Sequence, residues 1–228
     1  MEPVTVWWAA RDAARPGLAG LLDPVERGRR ERYLREADRD RFLLGAAISR
    51  LAAGARLGVP PEHVPITRAC ADCDEPHGPP AIAGGPHLSV SHSGDLVAVA
   101  VSPYGPLGVD VEEDAGRIGE DVARLLLAPG EGPGGLPAFW TRKEALLKAT
   151  RDGLRVPLAD LRVSGPAEAP RLLSWEGRPD LPGRMAMRTL APRAGYAACL
   201  ALLDHPADVP VEERSAEALL AAVSGQQA

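Results

Sequence analysis

The sequence predicts an α+β protein, because segments with helical periodicity are each followed by short β-rich runs. This order of helix and then strands occurs once before about residue 104 and once after it. The repetition predicts two comparable halves, residues 1–104 and 105–205, with a tail at 206–228. Of the 228 residues, 45% are hydrophobic and 25% are charged, which indicates a globular rather than a disordered chain.

The first half contains two adjacent helical segments. Residues 23–41 are charged, and residues 41–57 are rich in alanine and leucine and suited to burial. Prolines at positions 60, 61 and 65 end the second helix. Strands are predicted at residues 4–9, 87–91 and 95–101.

The second half repeats these kinds of element. A strand is predicted at residues 107–112, and helices at 118–127 and 136–150. Short strands with proline-rich connections follow over residues 161–203. The tail contains a possible helix at residues 212–223.

The charge pattern disfavours one class of function. A net charge of −5 argues against a general nucleic-acid binder. Residues 27–41 nevertheless carry seven arginines, among them Arg29 and Arg41. Acidic residues alternate with these arginines, so charge alone favours a solvated helix face.

Composition also bears on location. No apolar run approaches the ~20 residues that a membrane span needs. Residues 1–10 lack the pattern of a signal peptide. Three cysteines, an odd number, suit a reducing compartment, so we expect a cytoplasmic protein without membrane contact.

The first candidate site is the segment 108–112, with the sequence GVDVE. Side chains alternate between the two faces of a strand, so Asp110 and Glu112 share one face. Two neighbouring carboxylates repel each other unless water or a cation lies against them, and such oxygen ligands suit Mg²⁺. A half-exposed strand with its acidic residues toward water explains the same pattern.

The second candidate is the helical segment 139–148, with the sequence FWTRKEALLK. Lys143 falls inside its apolar arc, where a cation needs a pocket or a partner. Glu144 and Lys148 lie one turn apart at the edge of this arc. They are either a surface ion pair worth about 0.2–0.5 kcal/mol, or a metal ligand and a phosphate-binding cation; the pattern favours neither alternative.

Two weaker patterns remain. Ser91 and His92 lie between predicted strands and can offer donors to a phosphate, although a turn with satisfied polar side chains is equally consistent. No GxSxG sequence surrounds the serines, which disfavours a serine hydrolase. Cys70, Cys73 and His77 have a spacing compatible with zinc, but no convincing fourth ligand follows, so a structural zinc site is disfavoured.

Three segments, taken together and in this order, resemble the signatures of the Sfp-type 4′-phosphopantetheinyl transferases. They are residues 90–93 (VSHS), 108–112 (GVDVE) and 140–148 (WTRKEALLK). Residues 38–45 and 195–199 extend the resemblance, so it covers nearly all of the chain to about residue 205. The resemblance implies a pseudo-twofold α+β monomer with coenzyme A bound between the halves.

The resemblance also implies a catalytic centre. Asp110, Glu112 and Glu144 would hold Mg²⁺, or Mn²⁺ in its place, against the diphosphate of coenzyme A. Lys148 would bind coenzyme A and stabilise charge on the departing 3′,5′-ADP. Glu144 would help to remove the proton from the acceptor serine.

Contacts to the phosphates of coenzyme A are implied as well. Ser91 and His92 would contact these phosphates, and Arg29 and Arg41 would neutralise the 3′-phosphate or flank the nucleotide. The family's cation that reaches the 3′-phosphate is replaced here by Pro79 in the sequence GPP, and Glu26 stands where relatives often carry lysine. These departures predict weaker binding of the nucleotide end, unless neighbouring arginines compensate.

The implied activity is transfer of 4′-phosphopantetheine from coenzyme A to a serine of an acyl or peptidyl carrier domain. The size points to polyketide or nonribosomal peptide synthases as the source of that carrier. The alternatives are a non-catalytic relative that binds coenzyme A or a carrier protein, and an unrelated magnesium-dependent phosphohydrolase.

Overall fold

The computed structural model describes residues 1–70, 73, 75–114 and 119–223. It confirms the α+β class. The chain divides into two compact units: residues up to Pro103 together with those from Pro210 onward form unit 1, and Tyr104–Val209 forms unit 2. Among the described residues, no helix combines the length and apolar character that crossing a bilayer requires. The pseudo-twofold relation of the two halves stays a prediction.

A four-stranded sheet forms the framework of unit 1. Its strand order is β2-β3-β1-β9, antiparallel except that β9 runs parallel to β1. The strands are β1 (Val4–Ala10), β2 (His87–Ser93), β3 (Leu96–Ser102) and β9 (Val211–Ser215).

Helix α2 (Glu36–Leu57) packs on this sheet and is buried from Phe42 to Gly54. The approach is close, because a Cβ atom at Gly45 would lie 2.9 Å from Val90 Cγ1. The helix ends at Gly58, whose positive φ of 68° gives a left-handed cap.

The continuous charged helix predicted at residues 23–41 is wrong. Helix α1 (Pro24–Glu31) stops early, and α2 begins again at Glu36. The break allows the Tyr33 ring to pack 5.6 Å from the ring of Phe42, centroid to centroid. The Tyr33 carbonyl accepts a hydrogen bond from Arg39 Nε at 2.8 Å.

The predicted helix at residues 212–223 is also wrong in its first part. Residues Val211–Ser215 form β9, and only Glu217–Ala221 form a helix, α5. The Trp8 indole nitrogen donates a hydrogen bond to Glu213 Oε2 at 2.9 Å. Pairing with β1 therefore overrides the local helical pattern of this segment.

Unit 2 is built around the three-stranded sheet β4-β8-β7, all antiparallel, with the pair β5-β6 beside it. Helix α4 packs on β4 and β8. The predicted helix at 118–127 is observed as α3, although residue 118 lies outside the described residues. The elements are β4 (Leu107–Glu113), α3 (Glu120–Leu126), α4 (Leu136–Thr150), β5 (Leu161–Val163), β6 (Leu172–Trp175), β7 (Met185–Thr189) and β8 (Tyr196–Leu203).

Candidate active site

Strand β4 positions the first two acidic candidates in unit 2. Asp110 pairs with Cys199 of β8, and Glu112 pairs with Ala197, without a break in register. Alternation along the strand places Asp110 and Glu112 on one face, as the sequence predicts. Asp110 is buried and Glu112 is half-buried.

Gly108 explains how α4 approaches this strand so closely. A Cβ atom at this position would lie 1.9 Å from the Ala145 carbonyl oxygen and 2.8 Å from Lys148 Cβ. Any side chain would push the helix away, since such distances are far below van der Waals contact. The first residue of the GVDVE segment therefore sets the distance between the acidic strand and the helix that carries Glu144 and Lys148.

Lys148 reaches across this short gap. Its ammonium nitrogen lies 2.7 Å from Asp110 Oδ1 and 3.1 Å from the Val109 carbonyl oxygen. The side chain of Asp110 is 7% exposed and that of Lys148 is 28% exposed, so this ion pair is better shielded from water than a surface pair. The structure thus joins two residues that are 38 positions apart in the sequence.

Glu144 lies close to the ion pair of Asp110 and Lys148. Its Oε1 atom is buried and has no hydrogen-bond partner within the described residues. Burial raises the pKa of Glu144, the negative charge of Asp110 raises it further, and Lys148 lowers it in part. A buried carboxylate oxygen beside a second carboxylate is a fitting ligand for a divalent cation, so Asp110, Glu112 and Glu144 fit Mg²⁺.

Lys143 has a structural role. Its ammonium is fully buried and donates hydrogen bonds to Glu131 Oε2 at 2.5 Å and to the Leu126 carbonyl oxygen at 2.6 Å. Burial lowers the pKa of Lys143, and Glu131 offsets this effect in part. The sequence argument that Lys143 needs a partner is confirmed, and the contact fixes the rotation of the helix that presents Glu144.

Sequence reasoning missed Arg142, which is buried beside Lys143. Its guanidinium donates to the carbonyl oxygens of Ser164 and Gly165, each at 2.6 Å, and to that of Glu168 at 2.8 Å. Desolvation lowers the pKa of Arg142. No local pattern signals this arrangement, because the acceptors are backbone atoms of a distant loop.

In unit 1, Arg41 and His92 come close to the same carboxylate. Arg41 donates to Asp38 Oδ1 and to the Gly94 carbonyl oxygen, each at 2.5 Å. The hydrogen bond from Arg41 lowers the pKa of Asp38, with smaller contributions from Arg35 and His92. Arg41 therefore connects the start of α2 to the turn that follows the SHS segment.

The predicted position of Ser91 and His92 between strands is wrong, because β2 continues to Ser93 and contains both residues. The two side chains do not share a face of this strand. Side chains alternate along this regular strand, so Ser91 points to the face opposite His92. Ser91 is buried, whereas His92 is exposed. His92 shares its face with Val90, the face on which α2 packs.

Arg29 lies at a cleft on unit 1. Its guanidinium carbon is 5.4 Å from the centroid of the Phe42 ring, and its buried Nη1 atom has no hydrogen-bond partner among the described residues. The cleft has a volume of about 210 Å³, and Arg32, Glu75 and His77 line it together with Arg29. Two cations at one cleft make it suitable for an anionic group.

Glu26 belongs to a buried ion network. Its Oε2 atom lies 2.6 Å from Arg50 Nε, and its Oε1 atom lies 3.3 Å from Arg68 Nη2. Glu26 also completes a capping box with Asp23 at the start of α1. The charged segment is therefore more than a solvated face, and a lysine at position 26 would face the buried Arg50 and the half-buried Arg68.

Comparison with known proteins supports the interpretation of the motifs. No protein-family model matches the chain. A protein of Synechocystis named as a provisional 4′-phosphopantetheinyl transferase is 31% identical over 155 residues, 61% of each chain. The 4′-phosphopantetheinyl transferase HetI of Nostoc is 31% identical over 155 residues, 60% of this chain and 62% of that protein.

A third similar protein comes from a different kind of organism. The phosphopantetheinyl transferase of Thraustochytrium is 27% identical over 170 residues, 64% of this chain and 58% of that protein. The chain thus spans about three fifths of the length of the curated relatives that it matches. The resemblance to this superfamily, predicted from three short segments, is confirmed.

Proposed function

We propose that this chain, a relative of the phosphopantetheinyl transferases, moves 4′-phosphopantetheine from coenzyme A to a serine of an apo carrier protein and releases 3′,5′-ADP. The names of its relatives support phosphopantetheinyl transfer in general. The observation that carries the proposal is the group formed by Asp110, Glu144 and Lys148 in unit 2. It combines two shielded carboxylates with an ammonium, as a magnesium-dependent phosphoryl transfer requires.

Unit 2 provides the metal ligands in this proposal. Asp110, Glu112 and Glu144 would hold Mg²⁺, with Mn²⁺ as a substitute. When bound, the cation would supply positive charge next to the diphosphate oxygens on which negative charge develops. The buried Oε1 atom of Glu144, which has no hydrogen-bond partner among the residues that the structure describes, supports this assignment.

In this proposal, Glu144 and Lys148 also take part in the chemical step. The serine Oγ forms a bond to the phosphorus of the phosphopantetheine group, and the bond from that phosphorus to the 3′,5′-ADP oxygen breaks. Glu144 accepts the serine proton at its carboxylate, which lies close to Asp110 and Lys148. Lys148, held near Asp110, donates a hydrogen bond to the departing phosphate.

Unit 1 provides contacts to coenzyme A phosphates in this proposal. Arg29 carries a buried nitrogen atom with no partner among the described residues, at the edge of the 210 Å³ cleft. Arg41 likewise has a buried Nε atom that no described residue contacts by a hydrogen bond. Ser91 and His92 are assigned to the phosphates by family resemblance, and their opposite orientations imply that they contact different groups.

The acceptor is proposed as an acyl or peptidyl carrier domain of a polyketide or nonribosomal peptide synthase, and the protein as a cytoplasmic monomer. The decisive experiment incubates the chain with coenzyme A, Mg²⁺ and a panel of apo carrier domains, and then weighs each carrier by intact-protein mass spectrometry. We expect a gain of one phosphopantetheine that disappears when the metal is chelated.

Two other outcomes identify the competing functions. If coenzyme A binds but no carrier gains mass, the chain is a non-catalytic binder and the proposal fails. If free phosphopantetheine appears without a carrier, the chain is a phosphohydrolase. A Glu144→Gln variant serves as the control, because it keeps the size of the side chain and removes its charge.

A further inference from the structure

The transferase proposal gives no chemical role to three side chains of unit 1 in the loop between Thr67 and Ala81: those of Cys70, Cys73 and His77. The backbone groups of Thr67 and Ala81 exchange hydrogen bonds, with N–O distances of 2.8 and 2.9 Å. The Gly78 nitrogen donates to the Arg68 carbonyl oxygen at 2.9 Å. A Cβ atom at Gly78 would lie only 2.0 Å from the Ala69 carbonyl oxygen, so glycine allows the chain to return this closely. The returning chain brings residue 77 back toward residue 70.

Three side chains with metal-binding atoms meet at the tip of this loop. The Sγ atoms of Cys70 and Cys73 and a ring nitrogen of His77 all lie within 4.8 Å of one another. Cys73 Sγ lies 3.0 Å from His77 Nε2. Both cysteines are thiols and neither belongs to a disulfide.

We propose that Cys70, Cys73 and His77 bind a Zn²⁺ ion as three protein ligands, in a more open site than the four-ligand structural zinc that the sequence disfavours. Two thiolates and an imidazole are the ligands that zinc prefers, with bonds of about 2.3 Å to sulfur and 2.0 Å to nitrogen. In a tetrahedral site such bonds separate sulfur from nitrogen by about 3.5 Å. The 3.0 Å distance from Cys73 Sγ to His77 Nε2 therefore needs to increase by only about 0.5 Å. Cys73 and His77 are exposed, so water completes the fourth position.

Such an ion would stabilise this loop. Cys73, Glu75, Pro76 and His77 are all exposed, so these described residues bury little apolar surface. Zinc binding supplies folding energy directly where a core is too small to do so. Because His77 and Glu75 line the cleft that contains Arg29, the ion would also fix one wall of that cleft. The proposal depends on the two thiols and the imidazole, and not on the transferase activity.

The test measures zinc bound to the full chain. The protein is produced with zinc in the medium, purified without chelating resin and analysed for metal content. We expect one zinc per chain in the wild type, and at least about tenfold less in Cys70→Ser and Cys73→Ser, because each substitution removes a thiolate ligand. The third cysteine of the chain gives a matched control: Cys199→Ser removes a buried thiol of unit 2 and should keep the zinc.

Two further measurements keep the result interpretable. Since a cysteine variant can lose metal by unfolding, Co²⁺ is titrated into wild-type protein, where thiolate-to-cobalt charge-transfer absorption shows ligation without any substitution. An Asp110→Asn variant should retain zinc, which separates this site from the proposed magnesium site. Zinc retained by both cysteine variants would overturn the proposal, as would a wild type without the cobalt signal or with Cys70 and Cys73 oxidised to a disulfide.

Discussion

The ammonium nitrogen of Lys148 lies 2.7 Å from Oδ1 of Asp110, which joins the last turn of α4 to the middle of β4. In the sequence, Lys148 has an obvious partner in Glu144, one turn earlier on the same helix. The structure instead pairs Lys148 with the strand. Glu144 retains a buried oxygen atom without a hydrogen-bond partner in the described part of the chain. Asp110, Glu144 and Lys148 are therefore arranged as a site rather than as a surface ion pair.

Replacing Asp110 by asparagine tests this site directly. The substitution keeps the size of the side chain and an oxygen that accepts a hydrogen bond from Lys148, but it removes the charge that a cation needs. We expect transfer to a carrier domain to fall by at least about 100-fold, with an unchanged melting temperature. Glu113→Gln is the control, because Glu113 lies on the opposite face of the same strand. Near-native transfer by Asp110→Asn would exclude Asp110 as a metal ligand.

Replacing Lys143 by methionine tests the anchor of α4. The change leaves the Glu131 carboxylate, only 3% exposed, without its cation, and we expect a loss of about 3–5 kcal/mol in the free energy of unfolding. Adding Glu131→Gln should recover part of this loss, since the buried charge is then removed. Urea denaturation measures both variants. Arg124→Met, at a side chain that is 75% exposed, should cost little, and an equally small cost for Lys143→Met would refute the anchor.

Replacing Gly108 by alanine tests the close approach of α4 to β4. The added methyl group would meet the Ala145 carbonyl oxygen at 1.9 Å, so the helix must move. We expect destabilisation of about 1–3 kcal/mol or more from overpacking. We also expect a weaker Lys148–Asp110 contact, because Lys148 Cβ is another atom that the methyl group meets.

The control for this change is Gly183→Ala, since a Cβ atom at Gly183 meets no atom of a described residue within 4 Å. Thermal and urea denaturation of both variants measure the difference. Equal stability of the two variants would show that the helix adjusts to a side chain at position 108 without cost.

Replacing Pro79 by arginine tests whether unit 1 lacks a cation for the nucleotide end of coenzyme A. Pro79 is exposed and follows Gly78, near the cleft that His77 and Arg29 line. An added guanidinium should lower the KM for coenzyme A with little change in kcat, because it strengthens binding away from the reacting phosphate. Pro179→Arg adds the same charge to an exposed proline of unit 2 and should leave KM unchanged. An unchanged KM in Pro79→Arg would mean that the existing arginines already serve this role.

The elements that carry the site are predictable from the sequence because their signals are local. The alternation in GVDVE places Asp110 and Glu112 on one face, and helical periodicity predicts α4 with the bounds that the structure shows. The same periodicity shows that Lys143 needs a partner. The identity of that partner is not predictable, because Glu131 lies in a glycine-rich connection without periodicity.

The sequence predictions are wrong where residues that are distant in the sequence determine the local structure. The sequence following Val211 has a helical pattern, yet Val211–Ser215 form strand β9. They do so because β1 offers backbone hydrogen bonds to a neighbouring strand. The break before Glu36 likewise brings Tyr33 against Phe42, a contact that no helical pattern encodes. Contacts of this kind form only in the folded chain, so no local sequence pattern predicts them.

The parallel pairing of β1 with β9 has a consequence for how the protein is made. Val4 pairs with Val211, so the sheet of unit 1 cannot be completed until residues 211–215 have left the ribosome, about 200 residues after β1. Until then one edge of β1 has open backbone donors and acceptors, which is the kind of edge that recruits strands from other chains. The long sequence separation also predicts slow closure of this sheet. During synthesis, a chaperone that covers this nascent edge would prevent such pairing.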